Sequence, residues 1–138
     1  MISVQGMNVL LRKIAKANGE VQAKVKRANQ ITSLNIERQA KRNATQSVDN
    51  GDLRRAIVPD HSGTEANVEV KIKYAPYVEF GTGAFAAEYL ATKDEDLRKY
   101  AMTFFETGRG RVTARPFLFP AAEAERPKHI ERMRKALQ

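Results

Sequence analysis

Apolar residues recur at three- and four-residue spacing through the first third of the chain. Val4, Met7, Leu10, Leu11 and Ile14 form one set, and Val21, Val25, Ala28, Ile31 and Leu34 continue it. This period predicts helix over residues 4–48. Lys13, Lys16, Lys24, Lys26 and Arg27 fall mostly between the apolar positions. Asn18-Gly19 interrupts the pattern, and Gly suits a helix end better than a helix interior. An unbroken helix of this span would be about 65 Å long. A compact chain of this size has a radius of gyration of about 14 Å. The expectation is therefore a short first helix, a break near Asn18-Gly19, and a long second helix from about 20 to 46. That second helix either projects or is covered by a partner.

The pattern then changes. Ser47-Val48-Asp49-Asn50-Gly51-Asp52 is turn chemistry, with side chains that bond local backbone and a Gly that accepts positive φ. Leu53–Val58 leads towards a strand that Pro59 is expected to end. His61-Ser62-Gly63-Thr64 reads as another turn. Residues 66–73 alternate strictly. Val68, Val70 and Ile72 point one way, and Glu69, Lys71 and Lys73 point the other. This is a strand with one wet face. Tyr74–Phe80 reads as extended but contains Pro76, which suits an edge strand or a crossing segment.

Residues 81–114 are bracketed by Gly81, Gly83, Gly108 and Gly110. Within them Thr92 and Glu95 match a capping box, and Leu97, Tyr100, Ala101 and Phe104 share one face of a short helix. A loop of this length in a small domain is usually functional. Pro116-Phe117-Leu118-Phe119-Pro120 is apolar and stiff. Residues 121–137 form a last basic helix with Pro127 near its start or at a kink. The fold class is α+β in one domain. It comprises a helical part over 1–48, strands over 53–80 forming a small, mainly antiparallel sheet, a long central loop with a short helix over 81–114, and the Pro-Phe-Leu segment with a final helix over 115–138.

Composition narrows the function classes. The 138 residues are 42% hydrophobic and 29% charged, which is not a disordered composition. There is no Cys, so disulfides, thiolate metal sites and a Cys nucleophile are excluded. The two His, His61 and His129, have no metal-ligand spacing and read as exposed. No apolar run approaches the roughly 20 residues of a membrane span. Met1–Val4 lacks the flank of a secretory signal, so a cytosolic site of synthesis is expected. Net charge is +8 and unevenly placed. Residues 1–45 carry +7, residues 46–125 carry −3, and residues 126–138 carry +4. Such asymmetry suits nucleic acid, an acidic protein partner, or solvated helix faces.

Candidate chemistry is sparse. Gly81-Thr82-Gly83-Ala84-Phe85-Ala86 matches a G-x-G-x-x-A pattern, but a dinucleotide site needs a buried parallel strand before it. Asp94, Glu95 and Asp96 suit the first turn of a helix better than acid–base work. Glu79 stands out as an acid in an apolar segment, with Arg109, Arg111 or Arg115 as candidate ion-pair partners. No His, Cys or second carboxylate accompanies it, which points away from catalysis. Tyr74, Tyr77, Phe80, Phe117 and Phe119 could stack on bases, yet they lie in the charge-poor middle, where packing is the better reading.

Three stretches carry a family resemblance: Asn50–Ile57, Tyr74–Gly83 (Tyr-Ala-Pro-Tyr-Val-Glu-Phe-Gly-Thr-Gly) and Arg115–Ala121 (Arg-Pro-Phe-Leu-Phe-Pro-Ala). In content and order they resemble the landmarks of the tail-completion proteins of long-tailed bacteriophages, also called head–tail joining or minor neck proteins. The resemblance covers residues 45–122 by motif and the ends by layout. The stretch between the two later motifs is long here and holds its own helix, so its role is not carried over. The resemblance implies a non-enzymatic virion protein without cofactor or metal. It implies a ring, usually six-fold, at the head-proximal end of the tail. Its implied partners are further copies of the chain, the tail-tube protein and the head connector or stopper. DNA in the lumen would be met without sequence preference, and no membrane is involved. Assembly would take place in the host cytoplasm. The expected interface residues are Tyr77, Glu79, Phe80, Gly81, Thr82, Gly83, Arg109, Arg111, Arg115 and Phe117. The rival reading is a small basic nucleic-acid-binding protein, for which salt would weaken binding steeply.

Overall fold

A computed structural model describes residues 2–4, 19–44, 51–60, 65–102, 104 and 112–138, with backbone alone for 2–4, 83 and 84. Its longest element is helix α1, Gly19–Ala44, which opens at the Gly of the predicted break. Glu20 lies in its first turn and Lys41 and Arg42 in its last, the placement a helix dipole favours. Glu20–Lys24 and Glu37–Lys41 add pairs one turn apart, at 3.6 and 2.6 Å. The predicted helix over 4–17 is not supported at its start. Ile2–Val4 forms strand β1, so Val4 is extended, and the remainder of that segment lies outside the described residues.

Gly51 supplies the positive φ (86°) that the turn chemistry anticipated, and it leads into a one-turn helix α2, Asp52–Ala56. Leu53–Ala56 are thus helical rather than an approach to a strand. Strand β2 runs Ile57–Asp60, and Pro59 lies inside it. That is tolerated because β2 is an edge: the sheet order is β1-β3-β2. Strand β3, Asn67–Val70, is the centre and pairs antiparallel with both neighbours. Val68 and Val70 are fully buried, and Ile72 packs at the core margin, as the alternation required.

Three further helices replace what read as edge strand and loop. Helix α3 is Ala75–Phe80, with Pro76 in its first turn, where a missing N–H costs nothing. Helix α4 is Gly83–Ala91 and helix α5 is Glu95–Met102. The central segment therefore holds two helices where one was expected. Asp94, rather than Thr92, caps α5: its Oδ1 accepts the Leu97 N–H at 2.8 Å. Thr92 donates instead to the Tyr89 carbonyl. The last helix, α6, runs Phe119–Ala136 and continues through Pro127.

The main core gathers Ile36, Ala40 and Ala44 of α1, Leu53, Ile57, Val68, Val70 and Ala75, and Phe117, Leu118 and Ala121. A second cluster holds α4 and α5 in place. It comprises Phe80, Leu90 and Ala101, with Tyr89, Leu97, Tyr100, Phe104 and Phe119 against them. Its rings meet edge-on or tilted at 5.3–6.4 Å between centroids, the arrangement aromatic quadrupoles prefer.

Helix α6 lies along α1 and covers Val25 and Ala28 of the predicted apolar set, whereas Ile31 and Leu34 of that set face outward. The far end of this pair is apolar, with Val25 and Ala28 against Met133 and Ala136. Its middle is polar. Thr32 Oγ1 and His129 Nδ1 are 2.7 Å apart, and Arg132 donates to the same oxygen at 3.0 Å. Arg132 also donates to Glu125 Oε1 at 2.5 Å, which accepts Asn35 Nδ2 at 2.9 Å. Thus His129 is half-buried and bonded, not exposed as its position suggested.

Burial pushes the His129 pKa below the ordinary 6.5, Arg132 adds to this, and Glu125 opposes it. The folded state therefore binds this proton less readily than the unfolded chain. The stability contributed by the neutral ring is present above pH 6.5 and is lost as pH falls below it. Urea midpoints between about pH 7.5 and 5.5 should fall more steeply for the wild type than for His129→Gln. Parallel profiles would refute this.

Candidate functional site

Glu79 is the feature around which the second and third sequence motifs meet. It sits on α3 and is completely buried. Its Oε2 accepts the backbone N–H groups of Phe117 and Leu118 at 2.8 and 2.9 Å, and Oε1 accepts that of Phe119 at 3.0 Å. These donors lead into α6: Phe119 is its first residue, Leu118 its cap residue and Phe117 the residue before that. The first N–H groups of a helix have no partner within it. Helix α6 has no acid of its own in the first turn and no side-chain bond from its cap residue Leu118. The carboxylate of a distant helix does the capping. Burial pushes the Glu79 pKa upward, with a small push from Glu123, and the three N–H donors pull against it.

The segment before α6 is tied to the same corner. The Arg115 N–H donates to the Val78 carbonyl at 2.7 Å. Thr82 and Val112 exchange two bonds at 2.8 Å, one from each backbone N–H, with the Thr82 hydroxyl accepting the second. Asn43 of α1 donates to the Phe117 carbonyl at 3.0 Å. Residues 112–118 thus run as a strap between α3 and α1. Gly81 makes the crossing possible. Its φ is 74° and ψ −171°, a region open essentially to Gly alone. A Cβ there would lie 2.7 Å from the Ala114 nitrogen and 2.8 Å from the Val112 oxygen.

The expected interface residues separate into two groups. Glu79, Phe80, Gly81, Thr82 and Phe117 are buried in the subunit. Tyr77 is 40% exposed, and Arg115 is exposed and contributes its backbone to the strap. Gly83 begins α4. Arg109 and Arg111 lie outside the described residues. The acceptor role of Glu79 towards main-chain N–H groups was not anticipated. The isolated acid in an apolar run was the available signal, and its distance from Phe117 in sequence hid the partner. The glycine pattern of residues 81–86 follows a helix, not a parallel strand, so it lacks the setting of a dinucleotide site.

Around the corner three apolar side chains face outward: Tyr77, Phe85 at 40% exposure and Val112 at 49%. Backbone bonds tie Tyr77 to Gly81, and Val112 to Thr82, so these two side chains spring from one bonded frame, and Ala86, the residue after Phe85, donates to the Thr82 carbonyl. The arrangement holds and presents a surface. Among the described residues no group of three or more His, Asp or Glu side chains is placed to hold a metal ion.

Glu79→Ala orphans three N–H groups, two of them deeply buried, and should cost about 3 kcal/mol or more in urea unfolding. Glu79→Gln keeps one acceptor oxygen and should cost less. A loss under about 1 kcal/mol for Glu79→Ala would contradict the capping role. Gly81→Ala forces both the φ strain, about 1–3 kcal/mol, and the close approach to the strap. Its thermal midpoint should drop clearly, and an unchanged midpoint would show that the strap shifts freely.

A family model described as "Bacteriophage HK97-gp10, putative tail-component" matches residues 8–81. That span includes α1, the sheet strands β2 and β3, and α3 with Glu79 and Gly81. No curated protein and no solved structure matches the chain. The match covers more than half of the sequence and ends at the Gly that turns the chain under the strap, so the chain belongs to the HK97-gp10-like family of bacteriophage tail components.

Proposed function

We propose that this tail protein closes into a ring, six-fold by the motif resemblance, at the head-proximal end of the tail and joins the tail to the head connector. The observation that carries this reading is the Glu79–Gly81 corner. It draws together the second and third motifs and leaves Tyr77 and Val112 facing outward from one bonded frame. Ring subunits contact one another head to tail, through two different surfaces. The corner supplies one of them: Tyr77 and Arg115 touch the neighbouring copy, and Arg109 and Arg111 are assigned to the same contact on the motif resemblance alone. The buried members, Glu79, Phe80, Gly81, Thr82 and Phe117, keep that surface in shape, and Gly83 starts the helix beside it. The contribution is contact and not catalysis. Partners are further copies, the tail-tube protein and the connector or stopper, with DNA passing through the lumen. The setting is the neck of the virion, built in the host cytoplasm.

Native mass spectrometry of the full chain, alone and with tail-tube protein, should show a closed oligomer in at least the second sample. Tails from a phage lacking this protein should reach normal length yet fail to attach to heads under the electron microscope. Normal attachment without it would rule the joining role out.

A further inference from the structure

The outward face of α1 is not an ordinary solvated face. Lys24, Arg27, Ile31, Leu34 and Arg38 follow one another at alternating three- and four-residue steps, the spacing of a coiled-coil seam. All five are exposed, and Ile31 and Leu34 are 39% and 43% so. They lie opposite the buried row of Val25, Ala28, Thr32, Ile36 and Ala40, which α6 and the sheet already use. An apolar pair one turn apart thus sits at the centre of the seam, with bases beyond it on either side. Arg27 and Arg38 are about 16 Å apart along the axis.

We propose that this seam docks a helix from another particle protein, one whose apolar centre is flanked by acidic residues. The charge pattern selects that occupant. A second copy of the same face is disfavoured in both orientations. Antiparallel pairing about Ile31 and Leu34 sets Arg27 against Arg38, and parallel pairing sets each Arg against itself. Like charges across a contact cost affinity. The chain's own residues 5–18 carry Arg12, Lys13 and Lys16 and no acid, so they too have the wrong sign. Duplex DNA would satisfy the bases but would leave Ile31 and Leu34 against phosphate. An apolar centre within a charged rim is the anatomy of a protein contact. The inference uses membership of the tail-component family and stands whether or not the chain closes into a ring.

The test uses the full-length chain and a labelled synthetic helical peptide with Leu at the two central seam positions and Glu at the outer ones. Fluorescence anisotropy should show saturable binding, at least ten-fold weaker for the same peptide with Lys in place of Glu. Ile31→Ser with Leu34→Ser should weaken binding at least ten-fold. Arg27→Glu with Arg38→Glu should do the same and should gain affinity for the Lys peptide. These sites are exposed, and circular dichroism melts of each variant verify that the fold persists. The proposal fails if the Glu peptide does not bind at about 1 mM. It fails if the Ser variant binds as well as wild type, or if a 20-base-pair duplex binds more tightly than the peptide at the same salt. It also fails if sedimentation shows self-association that the same substitutions abolish, which would make a second copy the occupant.

Discussion

A buried carboxylate holding three successive N–H groups at the entry to another helix is the contact on which the rest depends. Glu79 and the three residues it caps are 38 to 40 positions apart in the chain. The bond set fixes where α6 begins and, with it, how α6 lies along α1. It also fixes the strap, because residues 112–118 must reach that point from beside Gly81. An ordinary N-cap is local and concerns one helix. This one is tertiary, so the start of α6 and the position of α3 cannot vary independently. The cost of burying an acid is offset by donors that would otherwise be orphaned in the interior. Neither group would be stable there without the other.

Much of this was legible in the residues. The long helix and its start, the positive φ at Gly51, the alternation of Val68 and Val70, and the one-sided apolar face of α5 follow from period and turn chemistry. Pro59 read as the end of a strand and Pro76 as part of an edge strand or crossing segment, whereas one lies inside an edge strand and the other in a first helical turn, two places where a missing N–H costs little. The Gly-flanked stretch read as loop because helix α4 is apolar and short, without an amphipathic period to reveal it. The role of Glu79 was hidden for a different reason. An acid that accepts backbone N–H groups has a partner with no side-chain signature, so only the fold can show it.

The subunit keeps polarity in an unusual place. Between two apolar ends, α1 and α6 meet through Thr32, Asn35, Glu125, His129 and Arg132. Small and polar side chains along α1 let the helices come together in one register, since a slip would part Asn35 from Glu125 and Thr32 from His129 and Arg132. The outward face of α1 is built the other way, with Ile31 and Leu34 in water and bases around them. The corner at Glu79 and the outward face of α1 are unlike in chemistry, the first aromatic and the second basic around an apolar pair.

The polar seam has a consequence for synthesis. Thr32 and His129 are 97 positions apart, so α1 leaves the ribosome well before the helix that will cover it. At about 5–20 residues per second the delay is roughly 5–20 s. A long helix bearing Leu along its waiting side would be a hazard through that interval, open to chaperones and to other nascent chains. Asn29, Thr32 and Ser33 make the waiting side wettable at mid-length, so it presents less apolar surface through that interval than a row of Leu would.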